Sequence, residues 1–99
     1  MSYPLKKYSG IYRDKLYGDA EIQFENNKLN LTLLPAKELF ASKMEHWHFD
    51  TFKIKFNDPF LPEGFVTFHF DSNGEIIGFK IDLPNPDFHF YNFNFEKIN

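Results

Sequence analysis

The stretch Met44-Glu45-His46-Trp47-His48-Phe49-Asp50-Thr51-Phe52-Lys53-Ile54-Lys55-Phe56 decides the fold of this 99-residue chain. Its second half alternates Phe52, Ile54 and Phe56 with two lysines, which is the period of a half-buried β-strand. The dipeptide Asp50-Thr51, just before that strand, is suited to hydrogen-bonding its own backbone and forming a corner. The first half holds the only tryptophan and two of the four histidines. The same stretch therefore also holds candidate functional residues.

Alternating apolar and polar residues continue on both sides of this stretch. Asn26-Asn27 separates two such runs and predicts a tight hairpin, and Asp71-Ser72-Asn73-Gly74 predicts another. Two proline-containing loops, residues 57–64 and 83–87, interrupt the pattern, and residues 38–42 fit either a short strand or one helical turn. The pattern predicts about eight short strands, including residues 8–13, 20–25, 28–33, 52–56, 66–70, 75–83 and 88–95.

The composition favours the same fold class. Aromatic residues make up 20% of the chain and 14 of them are phenylalanine. Such side chains suit a pleated, half-buried surface, whereas alanine, the best helix former, is scarce. Because an open sheet edge invites aggregation, we predict that the strands close. The predicted fold is an all-β, small antiparallel β-barrel formed by a meander.

Length, charge and cysteine content exclude several classes of protein. A chain of this size forms one domain, residues 1–99, with a core over about residues 4–97. A net charge of −3 gives no wide basic field, so we expect no nucleic-acid partner. No apolar run approaches the roughly 20 residues of a membrane helix, and the amino end has no signal-peptide pattern. The lack of cysteine excludes disulfides, thiolate zinc sites and cysteine nucleophiles.

Several segments together carry a family pattern: Tyr8-x-Gly10-x-Tyr12, Leu29-x-Leu31, Trp47-His48-Phe49-Asp50-Thr51-Phe52, Val66-Thr67-Phe68 with Gly74, and Phe88-His89-Phe90. The pattern covers roughly residues 4–97, and its tryptophan segment is the most specific part. It resembles the C-terminal domain of unknown function appended to class C β-lactamase-like, penicillin-binding-protein-type serine hydrolases. The resemblance implies a lipocalin-like barrel attached to a separate catalytic domain in periplasmic or secreted bacterial proteins.

In proteins of that kind the chemistry belongs to the catalytic domain. Here a serine-x-x-lysine motif begins at none of the four serines, and Tyr91-Asn92-Phe93 is not the tyrosine-x-asparagine motif. We therefore expect no catalytic residue and no cofactor in this chain, which is either an excised domain or a stand-alone homologue. The resemblance implies a non-catalytic accessory module that docks on, orients or caps a serine hydrolase domain, or that mediates oligomer contacts.

The final aromatic strand supplies a candidate interaction surface. Its aromatic residues occupy both odd and even positions, so they cannot all lie on the one face that points into the barrel. Either a bulge shifts the register or some of these side chains face outward and dock on a catalytic domain or a second copy. The candidates are Phe88, Phe90, Tyr91, Phe93 and Phe95.

A barrel that carries an apolar small molecule is the alternative function. Trp47, Phe49 and Phe52, with His48 beside them, would form the floor of an interior pocket. The 14 phenylalanines favour the simpler outcome, an interior filled by side chains. The sequence leaves both states of the interior open.

The four histidines offer a less favoured metal alternative. His46 and His48 share one face if their segment is extended, and His69 or His89 would complete a three-ligand zinc site. No paired carboxylate stands at ligand spacing, so we expect no metal site. Asp50 fits a turn former better than an acid–base partner of His48, because no nucleophile stands nearby.

Overall fold

Eight antiparallel strands close into a barrel in the computed structural model, which describes residues 3–84 and 93–98. The strands are β1 (Gly10–Asp14), β2 (Gly18–Glu25), β3 (Lys28–Leu33), β4 (Ala41–His48), β5 (Thr51–Ile54), β6 (Gly64–Phe70), β7 (Ile76–Asp82) and β8 (Phe95–Lys97). Each strand pairs with its neighbour in sequence, and β8 pairs with β1. Short 3-10 turns cover Leu5–Tyr8 and Leu34–Ala36. The predicted all-β antiparallel barrel is confirmed.

The β2–β3 hairpin forms where the asparagine pair predicted it. Asn26 and Asn27 have φ angles of 54° and 61°, the left-handed conformation that a two-residue turn between twisted strands needs. Asparagine tolerates this conformation better than most residues. The flanking residues Glu25 and Lys28 pair directly across the turn.

Aromatic rings occupy the interior of the barrel. Alternation along each strand turns one face inward, as in β3, where Leu29, Leu31 and Leu33 are buried. Neighbouring rings in the core have centroids 4.7 to 5.7 Å apart. Such contacts contribute about 0.5–1.5 kcal/mol each beyond the buried area. The connected rings belong to Tyr8, Tyr12, Phe52, Phe68, Phe79 and Phe95.

Strand β4 is longer than the sequence pattern indicated. It begins at Ala41 and runs through the tryptophan segment to His48, so Trp47 lies on a strand. The register with β5 shifts between His46 and His48, which makes Trp47 the extra residue of a β-bulge. The chain then reverses at Phe49-Asp50 and enters β5.

The closing strand β8 shares only Phe95 with the predicted strand over residues 88–95, of which residues 93–95 are described. It spans Phe95–Lys97, and residues 85–92 lie outside the part of the chain that the structure describes. Just before it, the backbone N–H of Asn94 donates to the buried carboxylate of Asp14 at 2.7 Å instead of to a neighbouring strand. The side chain of the last residue of β1 thus holds the entry to β8.

The two ends of the barrel differ. The end defined here as the hairpin end carries the tight turns at Asn26-Asn27, at Phe49-Asp50 and at residues 71–75. The opposite end carries the longer loop between β5 and β6, which the prolines predicted. In that loop Leu61 is buried, whereas Phe60 is 87% exposed. No helix in residues 3–84 and 93–98 is long and apolar enough to cross a membrane.

Candidate functional site

The most exposed aromatic residues of the hairpin end are Trp47 and Phe49, with 57% and 71% of their surface accessible. The sequence pattern predicts these two residues, with Phe52 and His48, around an interior pocket. The structure corrects this arrangement, because only Phe52 is inside the barrel and the other three side chains are exposed. The physical reason is local. The bulge leaves Trp47 on the outer surface, and the turn carries Phe49 beyond the end of the strands.

We call Trp47, His48 and Phe49 the aromatic tip. His48 is exposed, and its ring centroid lies 4.3 Å from that of Phe49. Beside Trp47, the outer face of β5 and β6 contributes Phe65, whose ring is 5.5 Å away, and Lys53, whose ammonium lies 5.1 Å from the indole centroid. The indole is thereby held against the barrel wall while more than half of its surface stays accessible.

Side-chain hydrogen bonds hold the turn that carries the tip. The Tyr8 hydroxyl, from inside the barrel, donates to the Asp50 carboxylate, and the Asp50 carbonyl accepts from the Phe68 N–H at 3.1 Å. The Nε2 atom of His46 lies 2.7 Å from the Phe49 carbonyl oxygen, so the imidazole is the donor. Asp50 therefore lies in the turn before β5, and its carboxylate joins that turn to the Tyr8 hydroxyl in the core.

Phe49 adopts a conformation that costs free energy. Its φ angle is 50°, in the left-handed region, where a residue with a Cβ atom loses roughly 1–2 kcal/mol. Asparagine or glycine is the usual occupant of such a position. A large exposed ring there gains little burial in return.

The three described histidines, His46, His48 and His69, do not form a metal-binding group. The bulge lies between His46, which pairs with Phe52, and His48, which pairs with Thr51. His69 stands on the outer face of β6, and its Nε2 atom is buried without a hydrogen-bond partner among the described residues. His89 lies outside those residues. Within residues 3–84 and 93–98, no three His, Asp or Glu side chains are grouped so as to hold a metal ion.

The predicted aromatic surface of the last strand is corrected for Phe95. This ring is fully buried and stacks on Phe79 at 4.9 Å with an interplanar angle of 13°. Phe93 is half-buried, with its ring 5.3 Å from that of Tyr17. Phe95 belongs to the core because β8 closes the barrel, and Phe93 packs against that core. The remaining candidates, Phe88, Phe90 and Tyr91, lie outside the described residues.

The pKa values of Tyr12 and Asp19 are shifted by contacts that belong to the fold. Burial, and secondly the neighbouring Tyr8, raises the pKa of Tyr12, whose hydroxyl donates to the Tyr8 carbonyl at 2.8 Å. On the outer face of β1 and β2, hydrogen bonds from the Arg13 guanidinium lower the pKa of Asp19. The first pair lies in the core and the second is an exposed ion pair across two strands. Neither Tyr12 nor Asp19 lies at the aromatic tip.

The contacts of Phe65 and Lys53 with Trp47 were not predicted from the sequence. A signal for Phe65 exists in the sequence, because it stands on the opposite parity to Val66 and Phe68 in an otherwise inward-facing aromatic run. The contact of Lys53 with Trp47 depends on the bulge, which no local pattern marks.

Comparison with protein families matches residues 1–97 to a domain of unknown function, DUF3471. Neither the curated proteins nor the solved structures compared with the chain gave a match. The match covers nearly the whole chain, including the tryptophan segment and the strands that close the barrel. The chain therefore belongs to the DUF3471 family of domains of unknown function.

Proposed function

We propose that this domain is a non-catalytic interaction module that docks through its aromatic tip on the catalytic domain of a β-lactamase-like serine hydrolase. The observation that carries the proposal is the exposure of Trp47 and Phe49 on a turn that side-chain hydrogen bonds hold in place. In this role the module orients or caps the catalytic domain.

Exposed aromatic residues on a rigid support are what a binding anchor requires. Tryptophan is enriched among the residues that dominate interface energies, and a preformed conformation loses less entropy on binding. The Phe49 backbone already has the conformation that the turn imposes, and Lys53 and Phe65 restrict the Trp47 ring. Docking would bury both rings and recover part of the free energy lost in the left-handed turn.

The choice of partner rests on the resemblance of the sequence to the domain appended to serine hydrolases. The chain lacks the serine-x-x-lysine motif of the catalytic domains, which fits a role beside such a domain. A complementary partner surface would be an apolar recess that accepts the indole and the phenyl ring together. Self-association through the tip is the competing use of the same surface.

The alternative function, binding of an apolar small molecule inside the barrel, has less support. Connected aromatic rings occupy the described interior, and Trp47 and Phe49 face away from it. No contact among the described residues favours an interior ligand over the aromatic tip.

The first prediction tests the docking surface directly. The 99-residue chain is titrated into a purified penicillin-binding-protein-type catalytic domain encoded in the same genome, with calorimetry as the measurement. We expect a 1:1 complex. Trp47→Ser should weaken it by roughly 30-fold or more, which corresponds to the loss of about 2 kcal/mol typical of an interface anchor.

Phe60→Ser is the matched control, because Phe60 is still more exposed but lies at the opposite end of the barrel. We expect its affinity to equal that of the unmodified chain. Sedimentation of the chain alone separates the competing use of the tip. A dimer abolished by Trp47→Ser, without binding to the catalytic domain, would overturn docking on a hydrolase and assign the tip to self-association.

A further inference from the structure

A second surface, distant from the aromatic tip in sequence, concentrates positive charge. Lys6 and Lys7 lie on the 3-10 turn before β1, and Lys97 lies at the end of β8. Together with Pro4 and Ser9, these lysines line one surface cavity of about 520 Å³. We call it the lysine cavity. Three of its five lining residues are lysines, on a chain whose net charge is −3.

The three lysines have no acidic partner within ion-pair distance among the described residues. Elsewhere on the barrel such partners are used, since Arg13 pairs with Asp19 at 2.7 Å and Lys53 approaches Glu63 at 3.9 Å. Cations around one concavity repel one another, and a bound anion relieves that repulsion. A concave surface also focuses the field of its charges and so raises the local concentration of anions.

The backbone around the lysine cavity is fixed without a ligand. The N–H of Lys7 donates to the Pro4 carbonyl at 3.0 Å, and the N–H and hydroxyl of Ser9 donate to the Lys6 carbonyl at 3.2 and 2.6 Å. The half-buried Lys97 donates from its ammonium to the Lys7 carbonyl at 3.3 Å. This contact joins the last strand to the first turn. An anion would therefore meet cations whose supporting backbone is already in position.

From this arrangement we infer that the lysine cavity is a binding site for a phosphate group. Lysine is a compact point charge that binds phosphate without the bidentate geometry of arginine. Because Coulomb energy scales with the product of the charges, three cations favour a multiply charged phosphate over a single carboxylate. Three lysines around one cavity match a phosphate group and not an extended nucleic-acid backbone. The inference is independent of the proposed docking function.

The test uses pyrophosphate as a soluble probe and vesicles of phosphatidylglycerol in phosphatidylcholine as a lipid probe. In amide NMR spectra of the 99-residue chain, pyrophosphate should shift the signals of Lys6, Lys7, Ser9 and Lys97. The shifts should weaken as ionic strength is raised from about 50 to about 300 mM, because exposed charges are screened over that range. Sedimentation with the vesicles shows whether a lipid headgroup also supplies the phosphate.

Paired variants distinguish a site from a general effect of charge. The double variant K6Q/K7Q should weaken pyrophosphate binding by about tenfold, at roughly threefold for each exposed charge. The control K37Q/K80Q removes the same net charge from exposed lysines outside the cavity and should leave binding unchanged. Binding of vesicles alone, lost in K6Q/K7Q, would assign the site to a lipid phosphate. Equal loss in both double variants, or no response to either probe, would overturn the inference.

Discussion

At the scale of single residues, Phe49 combines an unfavourable backbone conformation with a highly exposed side chain. Its ring is 71% accessible and its φ angle is 50°. Asparagine accepts that conformation at lower cost, so we expect Phe49→Asn to raise the free energy of unfolding by about 1 kcal/mol. The same change should weaken docking on the catalytic domain. Urea unfolding and calorimetry measure the two effects separately.

A substitution in the opposite sense, in the Asn26-Asn27 turn between β2 and β3, is the control for Phe49. Asn27 has a φ angle of 61° and is exposed, so Asn27→Phe should lower the free energy of unfolding by about 1 kcal/mol. A loss of stability in Phe49→Asn would show that packing of the ring on His48 outweighs the strain of the turn. The phenyl ring would then be explained by the fold without a partner.

At the scale of elements, local patterns predict the hairpins but not the irregular strands. Asn26-Asn27 carries its own turn conformation, so the β2–β3 hairpin is readable from neighbouring residues. The bulge at Trp47 and the position of Asn94 just before β8 depend on contacts between distant residues. Asp14 accepts the Asn94 N–H from 80 positions along the chain, and no local alternation contains that information. The sequence therefore marks residues 47–49 as a distinctive segment, but the outward orientation of their side chains is seen only in the structure.

Strand β8 is the shortest strand, and its approach to β7 depends on a glycine. A Cβ atom at Gly78 would overlap the Phe95 carbonyl oxygen and lie 3.3 Å from the Glu96 Cα. These are backbone atoms, which cannot move aside as a side chain can. Gly78→Ala must therefore shift β8 or break its pairing with β7. We expect a loss of about 1–3 kcal/mol in the free energy of unfolding, the range for overpacking. Urea unfolding measures it, and hydrogen exchange should show faster exchange in β8.

Lys80→Ala controls for a change to alanine in the same strand. Lys80 is exposed, and its removal should change the free energy of unfolding by less than about 0.5 kcal/mol. If Gly78→Ala were as stable as Lys80→Ala, close contact between β7 and β8 would not be needed to close the barrel.

At the scale of the whole molecule, closure was predictable because it follows from general physics. Eight short strands with apolar inner faces bury those faces and remove their edges when β8 meets β1. The sequence did not decide whether the barrel interior is filled by side chains or holds a cavity. The structure places Tyr8 and Tyr12 among the central phenylalanines, each with its hydroxyl in a hydrogen bond. The barrel thus has an aromatic core that contains buried phenol groups.

The buried phenol of Tyr12 predicts a loss of stability at alkaline pH. Burial, and secondly Tyr8, raises the pKa of Tyr12 in the folded barrel, whereas in the unfolded chain it titrates near pH 10. The stabilising contribution is therefore complete below about pH 10 and is lost as the pH rises towards the folded pKa. Tyr12→Phe removes this dependence, together with a hydrogen bond worth about 1 kcal/mol at neutral pH. In urea unfolding from about pH 7 to about pH 11, the variant should start less stable and lose less. Equal slopes in the two proteins would show that Tyr12 ionises without opening the barrel.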